Sequence, residues 1–130
     1  MWLVVFFYLR NVLFMLGNLY KVPDKKWWGF EAPGRSDHPG ALVSMASTHK
    51  VNLLKGTDVR SRDYSLAQVV VEPDDSNQLL KATSFGVKPH PKSLRKVQRE
   101  LSDRLIGTLS EADLARMQKA LERYFIDEGR

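Results

Sequence analysis

The chain has no cysteine, only three histidines, and no uninterrupted apolar stretch of the roughly 20 residues a spanning helix needs. Each shortage removes a class of protein. Without cysteine there is no disulfide framework and no thiolate metal site, which suits a reducing cytosol. His38, His49 and His90 lie far apart in sequence, and no helix places two of them at i and i+4, so no metal-ligand pattern survives. A phosphate-binding glycine loop, a nucleophile elbow and a dinucleotide fingerprint are all missing too. There is no internal repeat and no low-complexity tract. No metal and no cofactor are expected.

What is present is a length of 130 residues, suited to one domain with a core of its own. Twenty Lys and Arg against fifteen Asp and Glu give a net charge of +5, a modest lean toward polyanionic partners such as RNA. Residues 1–16 are nearly all apolar but carry Arg10 and Asn11 in their middle. They are too short and too charged for a spanning helix, and they lack the basic front and small-residue cleavage site of a secretory signal. They read as an apolar extension packed on the domain or a partner. A weak membrane anchor is the second reading.

From residue 17 onward the patterning is mainly β. Leu19 to Pro23 alternates and stops on proline, predicting a first strand. Ala41 to Val43, Val51 to Leu54, Leu66 to Val71 and Leu79 to Val87 supply the next strands. Pro73 to Asn77 has the composition of a turn. Lys88-Pro89-His90-Pro91 then closes the last strand. Thereafter the period becomes helical: Leu94, Val97, Leu101 and Leu105 share one face, with Lys92, Arg95, Lys96 and Arg99 mostly on the other. Gly107 ends that run. A second helix opens at Ser110, a capping residue, with Leu114, Met117, Leu121 and Phe125 as its apolar stripe.

Two stretches carry candidate chemistry. Asp24 to Arg35 reads as a long loop in which Lys25 and Lys26 adjoin Trp27 and Trp28. Lysines beside exposed aromatic rings suit single-stranded nucleic acid, because phosphates meet ammonium groups while unstacked bases meet indoles. The other possibility is that these tryptophans cap the open end of a barrel. Gly34 to Gly40, the second stretch, is a turn-forming loop carrying Arg35, Asp37 and His38, and it leads into the strand at Ala41. The following strand ends on Thr57 and Asp58. If the two strands pair, these groups share one cleft. Cleavage of RNA without a metal needs a base, an acid and a cation at the phosphate. Arg35 is the candidate cation, Asp37 or His38 the base or acid, and Thr57 a phosphate anchor.

The ordered motifs resemble one family. Gly17-Asn18-Leu19-Tyr20-Lys21-Val22 is similar to the Gly-Asp-Ile-Tyr-x-Val first strand of the PemK/MazF-like toxins of type II toxin–antitoxin systems. Gly34-Arg35, His38-Pro39 and Leu42-Val43 resemble their second motif, and Thr57 their strand-ending threonine. Asn77 to Phe85 resembles the Asn-Gly-Leu-x-Lys-x-Thr-Tyr-Phe version, and Arg104 to Ser110 their Arg-x-Ile-Gly-x-Leu-Ser ending. Some positions depart. Asp58 stands where serine is usual, Gln78 where glycine is usual, and Gly86 to Pro91 lacks the Asp-Gln-x-Arg segment of many members.

The resemblance implies an SH3-like, curved β-barrel with C-terminal helices over residues 17–130, preceded by the extension at 1–16. It implies a cytoplasmic homodimer, neutralised by an antitoxin protein, that inhibits growth by cutting single-stranded RNA without a metal. By the same resemblance Arg35 stabilises the transition state, Thr57 positions phosphate, and His38 occupies a position that is Arg or His in the family. Arg35, Asp37, His38 and Thr57 are thus the expected catalytic set. Lys25, Lys26, Trp27, Trp28, Asp58 and Arg60 are the expected RNA contacts. A member of the same fold that binds RNA or protein without cutting is the alternative.

Overall fold

The computed structural model describes residues 15–24, 27–28, 37–59 and 68–129. Among these, the strands are β1 (Asn18–Pro23), β2 (Asp37–Met45), β3 (Lys50–Asp58), β4 (Gln68–Val71), β5 (Thr83–Gly86), β6 (His90–Ser93) and β7 (Leu105–Thr108). The helices are α1 (Leu94–Leu101), followed by a 3₁₀ turn at Ser102–Arg104, and α2 (Glu111–Glu128). The fold is mainly β, an antiparallel sheet curled into a half-barrel with a helix at its C-terminal end. Neighbouring strands run β4-β5-β3-β2-β1-β7, and β6 also pairs with β3.

The curl has a visible cause. β5 and β6 follow one another along the same strand, pairing with the C-terminal and N-terminal parts of β3 respectively. Between the paired positions Gly56↔Phe85 and Leu53↔His90, the two residues Leu54 and Lys55 face the four residues Gly86 to Pro89. The excess length bulges and bends the sheet, as inserted residues do. A second irregularity lies at Val43 in β2, where the register against β3 slips between Leu42 and Ser44.

Both faces of the sheet are buried, which explains why β2 and β3 read as continuous apolar runs and not as alternating ones. On one face Tyr20, Val22, Leu42, Val51 and Leu53 pack with Trp27, Trp28 and the α1 residues Leu94, Val97 and Leu101. On the other Leu19, Ala41, Val43, Leu54, Val71 and Phe85 pack with Met117 and Leu121 of α2. Burying a side chain of this size contributes about 1.5–3 kcal/mol. Ser93 caps α1 through Lys96 N, and Ser110 caps α2 through Asp113 N at 3.1 Å. Gly17 adopts φ +89°, open to glycine at little cost, and from that turn accepts Leu109 N–H at 2.8 Å.

Several expected elements change. Asp37 to Gly40 are strand residues of β2, paired to β1, not part of a loop. The strand expected over Leu79–Val87 is reduced to Thr83–Gly86, and Leu80 stands 99% exposed on a loop. His90–Ser93 forms β6 despite Pro91, because it pairs only with β3. Leu105 leaves the helical stripe and starts the edge strand β7, half-exposed, and Phe125 of α2 is half-exposed too. Met15 and Leu16, the end of the apolar extension, pack against the cluster holding the tryptophans. Residues 1–14 lie outside the described residues. No helix among the described residues is long and apolar enough to cross a membrane.

Candidate active-site cleft

The start of β2 lies between the ends of β1 and β3. Val22 and Pro23 of β1 pair with His38 and Asp37, while on the other side of β2 Gly40 faces Lys55. At the far end of β3, Thr57 and Asp58 pair with Ser84 and Thr83 of β5. A cleft of about 550 Å³ opens there, lined by Lys21, Asp37, His38, Pro39, Thr57, Asp58, Thr83, Ile106 and the loop Gln78 to Lys81. The strand pairing expected from sequence thus brings Asp37, His38, Thr57 and Asp58 to one place. Arg35 lies outside the described residues, as do Lys25, Lys26 and Arg60.

One side chain organises the loop wall. Asn77 is fully buried. Its Oδ1 accepts from Asp74 N at 3.0 Å and Leu79 N at 2.9 Å, and its Nδ2 donates to Glu72 O at 2.8 Å. Asp74 Oδ1 in turn accepts from Ser76 N and Asn77 N. Gln78, the next residue, has φ 56°, in the left-handed region where glycine would be unstrained. The loop also clamps to β7. Thr108 N donates to Ser76 O at 3.0 Å and Ser76 Oγ to Thr108 O at 2.6 Å. At Gly107 a Cβ would lie 2.5 and 2.6 Å from the Asn77 and Ser76 carbonyl oxygens, so only glycine lets the two backbones approach.

Charges in the cleft are matched. Lys21 Nζ lies 3.7 Å from Asp37 Oδ2, Arg104 Nη1 lies 4.0 Å from Asp37 Oδ1, and Lys81 Nζ lies 2.8 Å from Asp58 Oδ2. All three cations are well exposed, so each pair contributes at most about 1 kcal/mol. His38 is different. Its Nδ1 contacts Oδ1 of Asp24, a carboxylate only 2% exposed at the end of β1. A carboxylate at Nδ1 favours the tautomer with the proton there, which leaves Nε2 as a proton acceptor.

Sequence reasoning did not find Lys21 and Lys81 as cleft residues, nor Asp24 and Arg104 as the partners of His38 and Asp37. Only the pairing of β1 with β2 brings Asp24 to a histidine fourteen positions away. The tryptophans correct an expectation. Trp27 and Trp28 are 4% and 1% exposed, in the core and not on a stacking surface. Trp28 meets the His90 ring edge-on at 4.9 Å, and Lys96 Nζ lies 4.5 Å above the Trp27 ring. His90 is pushed down to about 4, first by burial and then by Lys92, Lys55 and Lys88, so it is neutral near pH 7. Burial raises the Tyr20 hydroxyl above its ordinary value, partly offset by Asn18, which donates to it at 3.0 Å. Among the described residues no three His, Asp or Glu side chains are grouped to hold a metal ion. Comparison with known proteins returns no matching family model and no matching curated relative.

Proposed function

We propose that the chain is an endoribonuclease of the PemK/MazF-like kind, cutting single-stranded RNA with its own side chains. The observation that carries this reading is that His38, paired with the buried Asp24, lines one open cleft together with Thr57. In the step proposed, His38 Nε2 takes the proton of a ribose 2′-hydroxyl as that oxygen bonds to phosphorus. The bond to the 5′-oxygen breaks, and that oxygen receives a proton from the imidazolium so formed or from water. The products are a 2′,3′-cyclic phosphate and a 5′-hydroxyl. Asp24 stabilises the imidazolium, Thr57 donates to a non-bridging oxygen, and Lys21, Lys81 and Arg104 offer positive charge to the phosphate. Asp37, engaged by two cations, serves as an anchor for them and not as the base.

The finer reading of the curled sheet as an SH3-like barrel rests on the motif resemblance, as do the homodimer, the antitoxin partner and the cytoplasmic location. The decisive test incubates the full-length chain with mixed-sequence single-stranded RNA in EDTA, beside Thr57→Val and His38→Ala variants checked for folding by circular dichroism. Wild type should release fragments ending in cyclic phosphate, and His38→Ala should lose about 10²–10⁴-fold in rate. RNA that is retarded on a gel but stays intact would replace cleavage with binding. RNA neither cut nor bound would overturn the proposal.

A further inference from the structure

Away from the cleft, two lysines converge on one ring. Lys92 of β6 and Lys96 of α1 place their ammonium groups 5.9 and 4.5 Å from the centroid of Trp27. Each gains from the ring face, yet like charges held this close repel. Among the described residues neither lysine has a carboxylate partner, and Glu100, one turn beyond Lys96, makes no ion pair with either. Burial and then the charge of Lys96 lower the Lys92 ammonium below its ordinary value. The fields of Lys55, Lys88 and Lys92 all act on His90 beside them. His90 is itself uncharged near neutrality and relieves none of this. Lys92 and Lys96, with no carboxylate partner among the described residues, are suited to an anion from outside.

We infer that Lys92 and Lys96, both over the Trp27 ring, form a phosphate-binding site that anchors single-stranded RNA outside the cleft. The inference rests on RNA being the substrate. A lipid surface fits less well, since interfacial sites need an apolar group to insert. The large exposed apolar side chains among the described residues, Leu80, Leu105, Phe125 and Ile126, sit on the loop, β7 and α2, not beside the lysines. Lys92 pairs opposite Val51 of β3, six positions from Thr57, which is about 20 Å along a strand. A nucleotide or two would touch only one site; a longer strand can engage both.

Fluorescence anisotropy of a labelled RNA of about 12 nucleotides, within the range single-strand sites cover, measures this across salt concentrations. The full-length chain is compared with Lys92→Gln/Lys96→Gln, with Lys92→Arg/Lys96→Arg, and with Arg95→Gln/Arg99→Gln as an equal loss of charge on exposed side chains. Loss of two phosphate contacts should lower the slope of log K against log salt by about 1.4 and weaken binding roughly tenfold or more at about 0.1 M. The arginine pair should preserve both, and the exposed pair should change them much less. An unchanged slope, or an equal change in the exposed pair, overturns the site while leaving the nuclease reading intact. Lysine-dependent binding without any cleavage sustains the site and removes the nuclease. Lysine-dependent pelleting with phosphatidylserine vesicles, without RNA binding, overturns the site as an RNA anchor.

Discussion

Replacing Asn77 with alanine should destabilise the protein and dismantle one wall of the cleft together. The side chain makes three hydrogen bonds, from Asp74 N and Leu79 N and to Glu72 O, all between 2.8 and 3.0 Å. It is 0% exposed, so water does not readily replace what is removed. A net hydrogen bond contributes about 1 kcal/mol, and a buried group left without a partner costs about 1–3 kcal/mol. The Leu79 and Asp74 amides and the Glu72 carbonyl sit nearer the surface and regain part of their hydration, which places the loss at roughly 2–4 kcal/mol. For a chain of this length that is a fall in Tm of roughly 10 °C. The assay is urea and thermal unfolding followed by circular dichroism, with Asn77→Asp beside it. Aspartate keeps both acceptor bonds but buries a carboxylate oxygen against the Glu72 carbonyl oxygen, so it too should be less stable than wild type. Gln78 to Lys81 line the cleft, so any RNA cleavage should drop in step with the loop's disorder. A loss below about 0.5 kcal/mol in Asn77→Ala, typical of a surface change, would refute the view that this side chain holds the loop.

Two further outcomes follow from the same geometry. Gly107→Ala drives a methyl group to 2.5 Å from a backbone carbonyl oxygen, so β7 must part from the loop. Unfolding by urea should show a loss of about 2–4 kcal/mol, larger than an exposed Gly→Ala change gives. His90, held near 4 when folded against an ordinary 6.5, binds its proton more weakly in the native state than in the unfolded one. Its neutral form therefore supports folding above pH 6.5, and that support is lost as pH falls from 6.5 through about 4. Stability measured across that window should decline on acidification in wild type and decline less in His90→Gln; equal slopes would refute the assignment.

Much of the fold was legible locally. Proline at position 23 stops β1, and Ser110 three residues before Asp113 fixes the start of α2. These signals lie within a few residues of what they control, so the chain carries them wherever it is placed. The same holds for the apolar runs of β2 and β3 and for the likelihood that their ends meet, which gathers Asp37, His38, Thr57 and Asp58. Elements whose identity depends on distant partners were not legible. Leu105 continues a helical spacing in sequence, but β1 offers it an open edge, and edge pairing prevails over the spacing. His90–Ser93 contains a proline that argues against a strand, yet it pairs with β3 alone among the described strands, and an edge strand tolerates proline.

The cleft divides along the same line. Sequence alone determined which residue types are present at the strand ends and the turn chemistry of Pro73 to Asn77, because those depend on composition and short-range backbone preference. Tertiary structure decided that His38 is served by Asp24, that Lys21, Lys81 and Arg104 hold the two carboxylates, and that Trp27 is covered by lysines. It also decided that adjacent tryptophans flanked by lysine in sequence are core residues. A lysine–aromatic run reads alike whether its rings face solvent or a sheet. The choice between them is made by the apolar surface of β1, β2 and α1, which no local stretch of the sequence contains.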